Sequence, residues 1–120
     1  MEELGIGIAG ALGALTRYEL GVLIAHAVPT SFPLGVLAIN LTGCFLLGLL
    51  TALAERRLIS HAWRLVVGVG FVGAYTTFST WSVDTIQLYS GGHVWLAAAN
   101  VAVSLALGLP AAWAGLRTAK

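Results

Sequence analysis

The sequence predicts an all-α membrane protein, a single domain of four transmembrane helices. Of its 120 residues 58% are hydrophobic and only 9% are charged, far from the balance of a soluble domain. The apolar residues fall in long runs over the whole length, with a mean hydropathy of +0.91, so no soluble head is left over. The runs are continuous and not alternating, which excludes a transmembrane β-barrel.

Each run reaches the ~20 residues that cross a hydrocarbon core of ~30 Å as helix. The first, 5–24, follows two acids in place of a basic n-region, so it reads as a span and not as a cleaved signal peptide. Gly5, Ala9, Gly13, Arg17 and Gly21 recur on it every fourth residue and form a smooth stripe. The second span, 34–53, follows the two-proline connection "AHAVPTSFP" and repeats the device with Asn40, Gly43, Cys44 and Gly48. Cys44 has no second cysteine to pair with and reads as a small packing residue. The third span, 65–88, follows the charged loop "AERRLISHAW", and the fourth, 94–116, follows the glycine turn "YSGGH". On the fourth, Asn100, Ser104 and Gly108 share one face, and Pro110 lacks the N–H that would reach the Ala106 carbonyl, which favours a kink.

Four spans put both termini and the middle loop on one side. That side holds Arg56, Arg57, Arg64, Arg117 and Lys120, whereas the other two loops hold no Lys or Arg, which predicts cytoplasmic termini and a multi-pass chain in the cell membrane. The basic residues form no stripe, so nucleic acid is not an expected partner. His26, His61 and His93 lie in loops or near a span end, and no cluster of metal-ligating or nucleophilic residues has catalytic spacing, so an enzyme is not expected. Four short helices enclose little space by themselves, and a homo-oligomer in the lipid bilayer is expected on that ground.

Polar side chains at membrane depth are costly, and each raises a functional question. Arg17 lies about 18 Å along its helix from Gly5. It either pairs with Glu19 or a nearby carbonyl as an anchor, or stands at the base of a water-filled vestibule and gathers anions. The stretch "GAYTTFSTW" packs five hydroxyl side chains into nine residues. Gly68, Gly70 and Gly73 precede its β-branched threonines, which favours a break near the middle of the third helix. Non-helical backbone is tolerated at membrane depth only where it is buried in protein or lines a cavity. Helical spacing places Thr76, Thr80 and Asp84 on one face and Phe78 and Trp81 on another, where ring edges carry partial positive charge.

Three segments in order, "GALTRY" (13–18), "AINLTGCFLLG" (38–48) and "GAYTTFSTWSVDT" (73–85), resemble the signature segments of the Fluc fluoride channels, also called CrcB. The likeness covers essentially the whole chain. It implies a dual-topology dimer, two protomers inserted antiparallel with two narrow pores between them, that exports cytoplasmic fluoride passively and protects against its toxicity. It also implies a structural sodium ion (Na+) at the dimer centre, held by main-chain carbonyls at the positions of Gly73 and Thr76. By motif position Phe78, Trp81, Asn40 and Ser104 line the fluoride path, Arg17 stands near its vestibule, and Thr77 and Thr80 extend it. Trp81 replaces the usual second phenylalanine, and Ala74 and Tyr75 stand where glycine and leucine are usual.

Dual topology goes with nearly balanced loop charges, and these loops are strongly biased. Pairing with an oppositely oriented homologue is therefore an alternative to the homodimer. Two further readings compete. A small multidrug-resistance-type exporter, proton-coupled, would use Glu19 or Asp84 as its membrane carboxylate but has no need of a threonine-rich break. A noncatalytic assembly subunit of a larger membrane complex would need only the glycine stripes.

Overall fold

A computed structural model describes residues 1–120, and every regular element is helical. Helix α1 is Glu2–Ala27 and α2 is Leu34–Glu55. Helix α3 covers 61–75, made of His61–Trp63, a π-helical stretch Arg64–Val72 and Gly73–Tyr75; α4 is Phe78–Ser90 and α5 is Val94–Thr118. Of these, α1, α2 and α5 are long and apolar enough to cross a membrane, and the molecule is 48 Å along its longest axis.

Glycine decides which helices touch. The most extensive packing is between α2 and α5. A Cβ on Gly48 would run into the Ala112 carbonyl, and one on Gly115 into the Phe45 carbonyl. Side chains have been removed from both surfaces so that main chain meets main chain, the arrangement that strengthens association where lipid offers no hydrophobic drive. Helix α1 packs on α3 in the same manner. Gly13 abuts the Phe71 carbonyl, and a Cβ on Gly70 would lie 2.7 Å from the Ile6 carbonyl oxygen. The wider π-helical turn falls at this contact.

Helix α5 runs unbroken through Pro110, so the missing N–H does not interrupt it. Serine and threonine shape the remaining ends. Ser60 caps α3 by accepting from the Trp63 N–H at 3.2 Å. Helix α3 ends at Tyr75 because Thr76 (φ −81°, ψ 157°) and Thr77 (φ −149°, ψ 115°) are extended, and Thr77 then caps α4 by accepting from the Thr80 N–H at 3.1 Å. Before these two residues the chain packs on α1; after them it packs on α5.

Only 15 of the 120 residues are buried, so most of the apolar surface must meet lipid or another protein. At the end carrying the termini, Arg56 donates to the Ala119 carbonyl and the Arg117 guanidinium lies 5.0 Å from the Trp113 ring centroid.

Candidate functional site

The extended pair Thr76–Thr77 leaves backbone groups that no helix satisfies. Asn40, on α2, meets Thr77 as a neighbouring strand would. Its Nδ2 donates to the Thr77 carbonyl at 3.1 Å, and its Oδ1 accepts from the Thr77 N–H at 2.8 Å. An asparagine amide is the shortest neutral side chain that carries a donor and an acceptor on separate atoms, as one residue's N–H and C=O require. Arg17 supplies the next partner, donating from Nη1 to the Thr76 carbonyl at 3.5 Å. Of the two pairings open to Arg17, the structure shows the carbonyl one; Glu19 is exposed, and the sole ion pair in the chain joins the N-terminus to Glu3.

Backbone groups on both sides of the extended pair stay unpaired. The carbonyl of Gly73 accepts no hydrogen bond, because the Thr77 N–H that would reach it has gone to Asn40. The N–H groups of Phe78 and Ser79 open α4 with no hydrogen-bond partner. The positive end of the α4 dipole thus points into the break.

The clamp stands between two cavities. A vestibule of about 990 Å³ opens where α1 and α4 end and α2 begins, lined among others by Arg17, Thr77, Thr80, Asp84 and Gln87. A groove of about 330 Å³ lies on the other side, lined among others by Asn40, Thr76, Thr77, Phe78, Trp81 and Ser104. Thr77 alone of the hydroxyl residues faces both. Phe78 is 77% exposed, its ring 5.3 Å from that of Trp81 and tilted by 35°. The Trp81 indole donates from Nε1 to Ser104 Oγ at 3.0 Å, so this N–H is already engaged.

Continuous helical spacing would put Thr76 on the face of Thr80 and Asp84. The extended pair shifts the register, so Thr77 joins Thr80 and Asp84 in the vestibule while Thr76 turns toward the groove. Gly73 is exposed and lines the groove beside Thr76.

A family model described as "CrcB-like protein, Camphor Resistance (CrcB)" matches residues 4–116. The chain belongs to the CrcB family. Among curated relatives, the fluoride-specific ion channel FluC 2 of Symbiobacterium thermophilum is 50% identical over 96% of this chain and 94% of its own. The fluoride-specific ion channel FluC of Acidobacterium capsulatum is 48% identical over 97% and 94%. FluC 2 of Geobacillus kaustophilus is 47% identical over 100% and 94%.

In this CrcB chain the residues singled out from sequence thus divide between two spaces joined at one clamp. Sequence reasoning named Asn100 but did not reach the hydrogen bonds of the second layer behind the clamp. Thr42 Oγ1 and the Tyr75 hydroxyl lie 2.8 Å apart, tying the last residue of α3 to α2 two positions beyond Asn40. Asn100 is fully buried and donates to Thr85 Oγ1 at 2.9 Å, which in turn donates to the Trp81 carbonyl at 2.7 Å. A hydroxyl two residues after Asn40 and a tyrosine just before the threonines were the available signals.

Proposed function

We propose that the chain is a fluoride-selective channel, as its relatives are named fluoride-specific ion channels, and that it lets cytoplasmic fluoride leave the cell passively. The observation that carries this reading is the Asn40–Thr77 clamp between the two cavities, with the free Phe78 and Ser79 N–H groups beside it. Fluoride is small and strongly hydrated, so a path for it must replace water with closely placed donors. Arg17 and Thr80 would gather the anion in the vestibule; Thr77 and Asn40 would pass it on; Phe78 and Trp81 would offer ring edges, with Ser104 adding a hydroxyl. An inside-negative potential drives anions outward by ~2.3 kcal/mol per charge per 100 mV.

The functional unit is an antiparallel dual-topology dimer. Four spans, 5–24, 34–53, 65–88 and 94–116, form each protomer, and the third is broken at Thr76–Thr77. Supporting this, the groove is open and Phe78 stands out of the protomer beside unpaired backbone, which lipid alone would not tolerate. The carbonyl of Gly73, an exposed residue whose helical donor, the Thr77 N–H, has gone to Asn40, suits a structural sodium ion; the Thr76 carbonyl, shared with Arg17, suits it less. Bound there, sodium would supply fixed positive charge joining two breaks. A homodimer accounts for the site, and the one-sided loop charge favours an oppositely oriented homologue as partner.

The test is fluoride release from liposomes holding the purified protein, with valinomycin setting the voltage and chloride as control. Fast fluoride loss without chloride loss is expected. An assembly subunit predicts no flux from assembled protein, and a proton-coupled exporter predicts uptake of a lipophilic cation instead. Labelling the termini from each side of intact cells reads the topology; one orientation with no copurifying partner chain excludes the antiparallel dimer.

A further inference from the structure

The chain carries many hydroxyls in its helices; Ser79, Thr80 and Ser90, at the ends of α4, do not bond back to the carbonyl four residues before them, but elsewhere in the helices one habit prevails. Thr16, Thr42, Thr51, Ser82, Thr85 and Thr118 each donate to the carbonyl four residues back, at 2.7–2.8 Å. Ser104, in the middle of α5, breaks the habit. Its hydroxyl donates to no protein group, and its one hydrogen bond is as acceptor from Trp81 Nε1 at 3.0 Å. The carbonyl it would ordinarily reach, that of Asn100, lies 3.5 Å from the same indole nitrogen. The indole therefore occupies both ends of the bond that Ser104 would otherwise make. A hydroxyl that is already accepting on one side, with its usual acceptor taken, keeps its proton for the groove.

We infer that Trp81 is a positioning residue for anion recognition: by donating to Ser104 Oγ and crowding the Asn100 carbonyl, it turns the Ser104 hydroxyl into a donor aimed at a small anion in the groove. This rests on the fluoride-channel reading and deepens it. The indole does not bind the anion through its own N–H. Its effect passes through Ser104, which shares the groove with Asn40 and Phe78. Replacing the indole by a phenyl ring keeps a ring edge but frees the Asn100 carbonyl. Ser104 then falls back on it, as Thr16, Thr42, Thr51, Ser82 and Thr85 do on theirs.

The experiment is a double-mutant cycle on fluoride efflux from liposomes, with dimer content checked by size-exclusion chromatography. In the unaltered background Ser104→Ala is expected to slow fluoride flux about tenfold, the loss of one hydrogen bond to a charged partner. Ser104→Thr, which keeps a hydroxyl, restores most of it. In the Trp81→Phe background Ser104→Ala changes flux by less than about twofold, since the donor has already turned away. An equal effect of Ser104→Ala in both backgrounds overturns the inference. A second readout is the Trp81 indole N–H resonance of ¹⁵N-indole-labelled protein in detergent. Fluoride shifts it when Ser104 is present and not in Ser104→Ala, whereas no shift with Ser104 present also overturns the inference. If the unaltered protein passes no fluoride at all, it is the channel reading that has failed; if it conducts and the cycle shows no coupling, only the role of Trp81 has.

Discussion

The seam between α2 and α5 and the break at Thr76–Thr77 solve opposite problems with the same scarce resource, exposed main chain. In the seam, Gly48 and Gly115 bring main chain against main chain while α2 and α5 both run unbroken through the contact. At the break, the helix is given up, and Asn40 and Arg17 must supply partners from other segments. The seam is closed by removing side chains and the break is held open by adding polar ones. A membrane protein this small thus separates rigidity from chemistry by assigning them to different helix pairs.

The sharpest way to break that separation is to damage the seam. Gly48→Val places a side chain against the Ala112 carbonyl, a backbone atom that cannot swing aside, and a loss of more than ~3 kcal/mol is expected. The protein should fail to assemble, read as loss of the dimer peak in size-exclusion chromatography. Gly7→Ala, where a Cβ meets nothing within 4 Å, is the matched control and should leave assembly unchanged.

Damage at the break should do the reverse. Phe78→Ile is expected to lower fluoride flux at least a hundredfold, an effect of ~3 kcal/mol on the barrier, while the dimer forms normally, because the exposed ring packs on little besides Trp81. Unchanged flux would remove Phe78 from the path. Asn40→Ala takes both partners from Thr77 at a cost of ~1–3 kcal/mol for each group left unsatisfied. Flux should fall and amide exchange around residues 76–79 should quicken, with exchange in α2 and α5 unaltered. Faster exchange throughout would show that the clamp and the seam are one cooperative unit.

How legible this was in the sequence differs between the two regions for the same reason. Gly48, Gly43 and the span lengths are periodic, and a period can be read without knowing what lies opposite. The threonine run after Gly73 announced irregular backbone, but its register depends on two dihedrals. A reading by helical spacing therefore put Thr76 where Thr77 now stands. The partners of Trp81 and Tyr75 come from α5 and α2, at separations of 23 and 33 residues, and no local pattern encodes them. Resemblance to a family supplied the candidate positions but not the hydrogen bonds of this chain, because Trp81 and Tyr75 are where the chain departs from the usual residues.

Arg17 is where the comparison is most finely balanced, for it stands on the glycine stripe of α1 and yet reaches the break. Its guanidinium lies 3.5 Å from the Thr76 carbonyl while the residue lines the vestibule and is partly solvated. As a structural prop, it is worth one weak bond, and Arg17→Gln, which keeps a donor, should cost little. As a source of positive potential, it raises the local anion concentration, and its loss should lower fluoride flux about threefold to tenfold at low salt. The two roles separate by ionic strength. Screening over ~10 Å at 0.1 M and ~3 Å at 1 M weakens a field effect but leaves a short contact intact. Flux measured across that range should therefore converge for the unaltered protein and the Arg17→Gln variant as salt rises; a constant ratio would assign Arg17 to holding the Thr76 carbonyl, and so to the architecture and not to the path.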